Sequence, residues 1–502
     1  MRSSHLLLVL LLGAPLHAQS DKLPRAISAI RESDLRRDLA ALASDGMRGR
    51  EAGTVDELRA SMWIAEAMRR IGLVPKGEDG GWFQWWSIRR SRIASGQSTV
   101  RIGGRQLVLW KEIAPAFTVM AELSAPTVWV PDARDTLADL RGKVAITPLA
   151  RPPAASIRST TNTPDFNYTR AAITAASRAL LPRGVSAIVL VADSIVELAF
   201  EGVGSVVARG TYDVIGGAPR FVRPTAAGAA APLAPAQVPV LLARRSVLTD
   251  SASNGQLAEI RIRPDSFEYP SVNIIGMVRG TDPVLRDEYI LFSSHQDHDG
   301  VRYAVNGDSV WSGADDNGST SVALLAIARA WTKQPSKRSA LFVFHGAEER
   351  GLLGSRYHVA HPVVPLDRIV AVLNGDMIGR NHPDTAALMG SQPPHRNSAA
   401  LVRMAIDANR AVSRFVIDST WDRPDHPESW YFRSDHVPYA AHKVPSLFFS
   451  SNLHPDYHTP RDKPAAIDYA KLTRMTQWMY MTGWLAANAT QRPSVDPGFE
   501  LR

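Results

Sequence analysis

The sequence contains no cysteine among its 502 residues. This absence excludes a disulfide-stabilised scaffold, a thiolate nucleophile, an iron–sulfur cluster and a zinc site held by cysteine. Any metal site in this chain must therefore be built from histidine, aspartate and glutamate. The sequence also has no Gly-x-Ser-x-Gly segment, which disfavours a serine hydrolase of the nucleophile-elbow type.

Lysine is scarce, since it accounts for nine of the 57 basic residues, and the formal net charge is +8. The arginines are scattered, and their densest cluster is Arg89, Arg90 and Arg92. A nucleic-acid-binding domain concentrates its basic residues on one face or stripe. We therefore expect no nucleic-acid partner. With 45% hydrophobic and 21% charged residues the chain is of ordinary globular composition, long enough for about three domains.

Long apolar runs are also missing, apart from Leu6–Leu12 near the N-terminus. Arg2 precedes this run and Ala18 follows it, a pattern typical of a signal peptide over residues 1–18. The run is much shorter than the roughly 20 residues of a membrane-spanning helix. We expect an exported, periplasmic or secreted chain with no membrane association after cleavage. Nothing in the sequence predicts an oligomeric state.

The remaining chain divides into segments of different pattern. Residues 19–110 begin with a helix that ends at Gly72 and continue into an aromatic strand at Trp82–Trp86. The predicted apolar stripe of that helix comprises Leu58, Met62, Ala65, Met68 and Ile71. Residues 111–265 carry short β-type runs, few histidines and no dense carboxylate group, which predicts a non-catalytic inserted domain. The runs are Thr127–Val130, Lys143–Ile146, Ala187–Val191 and Val238–Leu242.

Residues 266–490 alternate between strands and helices, and residues 491–502 form a C-terminal tail. The predicted strands contain Tyr289–Phe292, Ala340–Phe344, Ile369–Leu373 and Ser446–Phe449. The predicted helices span Ser321–Trp331, Ala399–Ala411 and Ala465–Ala487. This alternation is typical of an α/β fold whose sheet is covered on both faces.

Polar clusters follow these strands. They are Ser294–Asp299, Gly313–Gly318, His345–Glu349, Asn374–Met377 and Asp456–Thr459. In open α/β sheets ligands bind outside the carboxyl ends of the strands, so we expect the clusters to converge. Imidazole with carboxylate, without thiolate, suits Zn²⁺ or another first-row divalent ion. Two histidines and at least three carboxylates are more than the three protein ligands that one catalytic zinc uses. The motifs therefore predict two ions about 3.5–4 Å apart, bridged by a carboxylate.

Two neighbouring positions carry further roles in this hypothesis. Glu348 and Glu349 are adjacent, so one can ligate while the other faces the bound water as general base. Asp297, two residues after His295, is placed to accept the other ring N–H of that histidine. The alternative for Asp297 is a third ligand or a turn residue.

These motifs resemble the co-catalytic dizinc aminopeptidase family, which includes aminopeptidase S, aminopeptidase Y and relatives of glutamate carboxypeptidase II. The matching runs are Ser294–His298, Gly313–Gly318, Gly346–Ser355, Asn374–Gly379, Arg433–His436 and Asp456–Thr459. The resemblance implies a zinc-peptidase α/β/α sandwich with a mixed, mainly parallel central sheet. Residues 111–265 resemble a mainly-β protease-associated (PA) domain, through Leu140–Val144 and Val238–Val240.

The resemblance also assigns roles by position. It implies that His295 and Asp376 complete one zinc site, that Glu349 and His458 complete the other, and that Asp316 bridges them. Glu348 becomes the general base that deprotonates a bridging water, and Asp297 the partner of His295. Tyr457 resembles a tyrosine that steadies the oxyanion in some members.

The resulting hypothesis is an exported metallo-exopeptidase with two Zn²⁺ ions, acting on peptides with a free N-terminus. One alternative is a carboxypeptidase- or glutaminyl-cyclase-like member of the same fold. The cyclases use one zinc, so a complete set of five ligands speaks against them. The other alternative is a non-catalytic, receptor-like relative, which the complete ligand set also disfavours.

Overall fold

The computed structural model describes residues 23–153, 164–221, 238–248 and 254–502. The predicted signal peptide, residues 1–18, lies outside the described residues. None of the described helices combines the length and the apolar character that crossing a bilayer requires.

Nine α-helices lie in the described part of the chain. They are α1 (Glu32–Leu42), α2 (Val55–Ile71), α3 (Pro164–Leu180), α4 (Ser194–Arg209), α5 (Thr320–Lys333), α6 (Leu353–Ala360), α7 (Ala399–Ala408), α8 (His436–Ala441) and α9 (Tyr469–Asn488).

Helix α2 shows how the sequence sets its bounds. The Thr54 hydroxyl accepts hydrogen bonds from the backbone N–H groups of Asp56 and Glu57 at the N-terminus. The helix ends at Gly72, as predicted, because a residue without Cβ adopts the observed φ of 93° at little cost. The predicted apolar stripe is wrong at Met62, which is 59% exposed.

The described residues form 20 strands. They are β1 (Val74–Pro75), β2 (Phe83–Ile93), β3 (Thr99–Ile102), β4 (Arg105–Leu107), β5 (Ile113–Pro115), β6 (Ala121–Trp129), β7 (Val144–Pro148), β8 (Ala187–Val191), β9 (Thr211–Val214), β10 (Val240–Ala243), β11 (Leu257–Ile262), β12 (Pro264–Val278), β13 (Tyr289–His295), β14 (Gly300–Val305), β15 (Asp308–Trp311), β16 (Ser339–His345), β17 (Ile369–Gly375), β18 (Thr385–Met389), β19 (Val416–Ile417) and β20 (Ser446–Ser450).

The larger sheet is mixed and runs β19-β18-β20-β17-β13-β16-β12-β2-β9, with β1 paired to β12. Its centre, β20-β17-β13-β16, is parallel, whereas β18, β12, β2 and β9 join antiparallel. Side chains alternate along β13: Ile290 and Phe292 face the core shared with α1, α2, α5, α7 and α9, and Leu291 faces that of α6 and α8. The predicted α/β fold with a sheet covered on both faces is confirmed.

The second sheet runs β4-β3-β11-β6-β7-β8-β10-β5, and α3 and α4 pack against it. The chain passes from the first sheet to the second between β2 and β3, and returns between β11 and β12. Strand β9, although within residues 111–265, pairs with β2 of the first sheet. The proposed domain limits at residues 110 and 265 and the PA resemblance stay predictions.

Parallel pairing at the centre of the larger sheet brings several polar segments to one edge. Strand β13 ends at His295, which lies opposite His345 at the end of β16. Strand β17 pairs with the other side of β13 and ends at Gly375, next to Asp376. The loops that follow these strands therefore meet at the carboxyl edge of the sheet, as the sequence predicted.

Candidate metal centre

The first group of candidate ligands consists of His295, Glu348 and Asp376. His295 is the last residue of β13, Asp376 directly follows β17, and Glu348 lies three residues after the end of β16. The Nε2 atom of His295 lies 3.6 Å from Asp376 Oδ2 and 3.7 Å from Glu348 Oε2. The His295 side chain is fully buried, and those of Glu348 and Asp376 are 10% and 5% exposed. Three potential ligand atoms thus face one another inside the protein.

The second group consists of His298, Asp316, Glu349 and His458. The Nε2 atom of His458 lies 3.1 Å from Asp316 Oδ2 and 3.1 Å from Glu349 Oε2. On the other side of Glu349, His298 Nδ1 lies 2.7 Å from Oε1. His298 is not among the ligands predicted from the sequence, although its place three residues after His295 is a signal for a further ligand.

Asp316 joins the two groups. Its Oδ1 atom lies 3.4 Å from His295 Nε2, and its Oδ2 atom lies 3.1 Å from His458 Nε2. One carboxylate therefore offers one oxygen to each group. The structure brings together all five predicted ligands, His295, Asp316, Glu349, Asp376 and His458.

The donor atoms fit a divalent cation. Four buried atoms in the two groups make no hydrogen bond to any described residue: His295 Nε2, His298 Nε2, Asp376 Oδ1 and His458 Nε2. Burying such atoms without a partner costs free energy, so they call for a ligand. The ligand atoms of each group lie within 4.8 Å of one another, and imidazole with carboxylate is a donor set typical of zinc.

Burial and facing charges act in opposite directions on the ionisable groups of the site. Burial disfavours the charged form of Asp316, yet the facing His295 and His458 nitrogens hold the pKa of its carboxyl at about 2. Burial likewise disfavours protonated His458, yet Glu349 and Asp316 raise the pKa of its imidazole to about 10. Histidine ligates a metal only when neutral, so a cation at this position would displace its proton.

Asp297 contacts the turn that carries the two glutamates. Its Oδ1 atom accepts the backbone N–H of Glu348 at 3.0 Å, and its Oδ2 atom accepts that of Glu349 at 3.4 Å. The Nδ1 atom of His295 lies 3.2 Å from the backbone oxygen of Asp297 and 3.7 Å from its carboxylate. The main-chain carbonyl is thus the nearer partner of the ring, and the predicted role of the carboxylate stays a prediction.

Tyr457 lies directly beside the second group, with its ring stacked on that of His458 at a centroid distance of 3.8 Å. Its hydroxyl oxygen accepts a hydrogen bond of 2.9 Å from Arg433 Nη2. Burial raises the pKa of the Tyr457 phenol well above its usual value, so its O–H remains available as a donor. Arg433 is the first residue of the motif Arg433–His436, for which no role was predicted from the sequence.

Comparison with known proteins agrees with this site. The model of peptidase family M28 matches residues 273–482. A probable leucine aminopeptidase 2 of Aspergillus oryzae is 28% identical over 178 residues, which cover 35% of this chain and 32% of the relative. Aminopeptidase YwaD of Bacillus subtilis is 27% identical over 214 residues, 41% of this chain and 42% of the relative. The matches thus span less than half of the length of these relatives.

Solved structures extend the likeness of fold to nearly the whole chain. An aminopeptidase from Aneurinibacillus sp. strain AM-1 superposes with a TM-score of 0.55 at 17% identity, covering 96% of this chain and 100% of that one. BSAP, a zinc aminopeptidase from Bacillus subtilis, gives 0.55 at 18% identity, covering 94% and 99%. The five predicted ligands all fall within residues 273–482, the segment that matches the model of peptidase family M28.

Proposed function

We propose that this chain is an exported, zinc-dependent aminopeptidase that removes N-terminal residues from peptides with a free N-terminus. The observation that carries the proposal is the pair of histidine–carboxylate groups joined by Asp316. The names of the relatives support the substrate class, and BSAP, of the same fold, is a zinc aminopeptidase. Export is supported by the signal-peptide pattern of residues 1–18.

In this proposal each group would hold one Zn²⁺ ion. His295 and Asp376 would hold the first ion, Glu349 and His458 would hold the second, and Asp316 would be shared by both. The bound ions would polarise the scissile carbonyl and lower the pKa of a coordinated water to about 7.

Glu348 acts as the general base. Its Oε2 atom lies 3.7 Å from His295 Nε2, so its carboxylate faces the first group, whereas the carboxylate of Glu349 faces His458 in the second. In the metal-free chain burial, together with Asp376 and Glu349, raises the pKa of Glu348 well above its usual value, and cations bound beside it would lower that pKa again. The ionised carboxylate can then take the proton of the attacking water and deliver it to the leaving amine.

Tyr457 donates its O–H to the oxygen of the tetrahedral intermediate, and Arg433 fixes the phenol in position through the bond of 2.9 Å. Arg433 also donates to Glu428 Oε2 at 2.9 Å. The names of the relatives, a probable leucine aminopeptidase and an aminopeptidase, favour the aminopeptidase over the carboxypeptidase.

A panel of aminoacyl chromogenic substrates tests the proposal, with chelator, with added zinc, and with matched N-acetylated peptides. We expect hydrolysis of free-amine substrates, loss with chelator, recovery with zinc, and no cleavage of acetylated peptides. Equal rates on acetylated and free peptides would contradict the aminopeptidase assignment. Undiminished hydrolysis in a metal-stripped sample would contradict the role of zinc.

A further inference from the structure

Arg50 is a fully buried arginine in the segment between α1 and α2, far from the ligands in sequence. Its guanidinium donates four hydrogen bonds, and all four acceptors are main-chain carbonyl oxygens rather than carboxylates. The acceptors are Gln296 at 2.7 Å, Ser312 at 2.7 Å, Gly313 at 3.0 Å and Leu42 at 3.2 Å. Burial lowers the pKa of Arg50 to about 10, so the side chain remains charged at neutral pH.

Three of the four acceptors lie on two loops that carry candidate metal ligands, the loop after His295 and the loop before Asp316. Gln296 directly follows His295, and Ser312 and Gly313 lead to Asp316. The backbone carbonyl of Arg50 also accepts the N–H of His298 at 3.2 Å. The planar guanidinium has five N–H donors in a fixed fork, so it sets the distance between the two loops as well as their orientation.

Asp462 contacts the same loop from the opposite side of the peptide groups. Its carboxylate accepts the backbone N–H groups of Asp315, at 2.9 and 3.0 Å, and of Asp316, at 3.0 Å. Its backbone oxygen accepts the N–H of Ala314 at 3.1 Å. Asp462 is fully buried and follows His458 by four residues, so these bonds tie the loop of His458 to that of Asp316.

We infer that Arg50 and Asp462 are positioning residues, which clamp residues 312–316 between a buried cation and a buried anion. The clamp fixes Asp316 at the point where its two oxygens face His295 and His458. Among the described residues, the bonds of both side chains go to backbone atoms and to none of the candidate ligand atoms. The inference rests on the proposed function, because its consequence is the geometry of a site for two ions. Metal sites depend on such supporting contacts, whose loss typically lowers affinity 10–100-fold.

The test uses Arg50→Lys in the full chain, with zinc affinity measured by chelator competition and unfolding measured in the metal-free protein. A lysine keeps the charge but has three donors on one nitrogen, so it cannot hold the same four carbonyls. We expect zinc affinity to fall about 10–100-fold. Arg338→Lys is the matched control, because Arg338 is 1% exposed and donates to the carbonyls of Ala486 and Ala489 beyond the other end of β16. It should lower the melting temperature and leave zinc affinity unchanged.

Asp462→Asn is the second variant, and it decides the matter where Arg50→Lys does not fold. Its control is Asp422→Asn, because Asp422 is 1% exposed and accepts three backbone N–H groups, of Gly390, Ser391 and Gln392. We expect Asp462→Asn to weaken zinc binding and Asp422→Asn to leave it unchanged. Unaltered affinity for both ions in the folded Asp462→Asn variant overturns the inference, as does an equal loss in variant and control.

The readouts separate this inference from the proposed function. A chain that binds two zinc ions but hydrolyses no peptide refutes the aminopeptidase proposal, while lowered zinc affinity in the variants still supports the clamp. A native chain that binds no zinc overturns both. A native chain that binds zinc and hydrolyses peptides, with variants of native affinity, overturns the clamp alone.

Discussion

Replacing Glu348 with glutamine tests the general base directly. The substitution keeps the shape of the side chain and leaves the backbone bond from Glu348 N–H to Asp297 intact at 3.0 Å. The amide cannot take up a proton from water. Two nearby carboxylates are poorly placed to replace it, because Asp297 accepts the amides of the glutamate turn and Asp435 accepts Ser355 Oγ at 2.5 Å.

The expected loss follows from this arrangement. General base catalysis contributes about 10²–10⁴-fold, and with Asp297 and Asp435 engaged in other hydrogen bonds we expect the upper half of that range. A loss of about 10³–10⁴-fold in kcat corresponds to roughly 4–5.5 kcal/mol of barrier. Zinc content and affinity should not change, because all five proposed ligands remain.

A stability measurement gives a second readout with a defined sign. Burial raises the pKa of Glu348 well above its usual value, so the native state favours the protonated acid. In metal-free protein the contribution of protonated Glu348 to stability is complete below the pKa that this residue has in the unfolded chain. It is lost as the pH rises through the pKa that Glu348 has in the folded protein. At alkaline pH the neutral amide avoids this cost, so we expect metal-free Glu348→Gln to be more stable than the native chain.

The assay is steady-state kinetics on a free-amine chromogenic peptide, with zinc measured on the same samples. Glu349→Gln serves as the contrast, because it removes a proposed ligand and should lower both zinc affinity and activity. Retention of more than about a tenth of native kcat in Glu348→Gln, at full zinc content, would refute the assignment, because a general base contributes at least about 100-fold.

Three further predictions address the surroundings of the site. Tyr457→Phe should lower kcat about 10²–10³-fold with little change in KM, because one oxyanion donor is lost; unchanged kcat refutes that role. Burial lowers the pKa of His358 to about 4 from 6.5, so its contribution to stability is present above pH 6.5 and is lost as the pH falls towards 4. Between pH 6.5 and 4 the free energy of unfolding of the metal-free protein should fall with pH less steeply in His358→Gln than in the native chain, by about 1.4 kcal/mol per pH unit. An unchanged pH dependence would contradict this role of His358. Gly354→Ala should lower the stability by about 1–3 kcal/mol, since the added Cβ would lie 2.5 Å from Gly346 O. Gly96→Ala should change stability little, because no atom of the described residues lies within 4 Å of the added Cβ.

The parts of the fold that repeat a local pattern could be predicted from the sequence. The apolar runs at Tyr289–Phe292 and Ala340–Phe344 lie within β13 and β16, and the helix predicted at Ser321–Trp331 is part of α5. Polar residues at the ends of parallel strands converge whatever the details of packing, because the strands end at one edge of the sheet. That geometry brings His295 and Asp376 together.

The contacts that support the site could not be predicted in the same way. Arg50 lies 246 residues from Gln296, and Asp462 lies 147 residues from Asp315, so no local pattern connects them. Met62 fits the helical period of α2, yet it remains exposed, because no element of the described residues covers it. Strand β9 joins the first sheet although its neighbours in sequence do not. Each of these features depends on which elements pack together.

The most direct test is a crystal structure with anomalous data collected at the zinc absorption edge. We expect two anomalous peaks about 3.5–4 Å apart, with Asp316 between them. His295 and Asp376 should bind one ion, and Glu349 and His458 the other. A single peak, or peaks elsewhere, would contradict the dinuclear centre on which the proposed function depends.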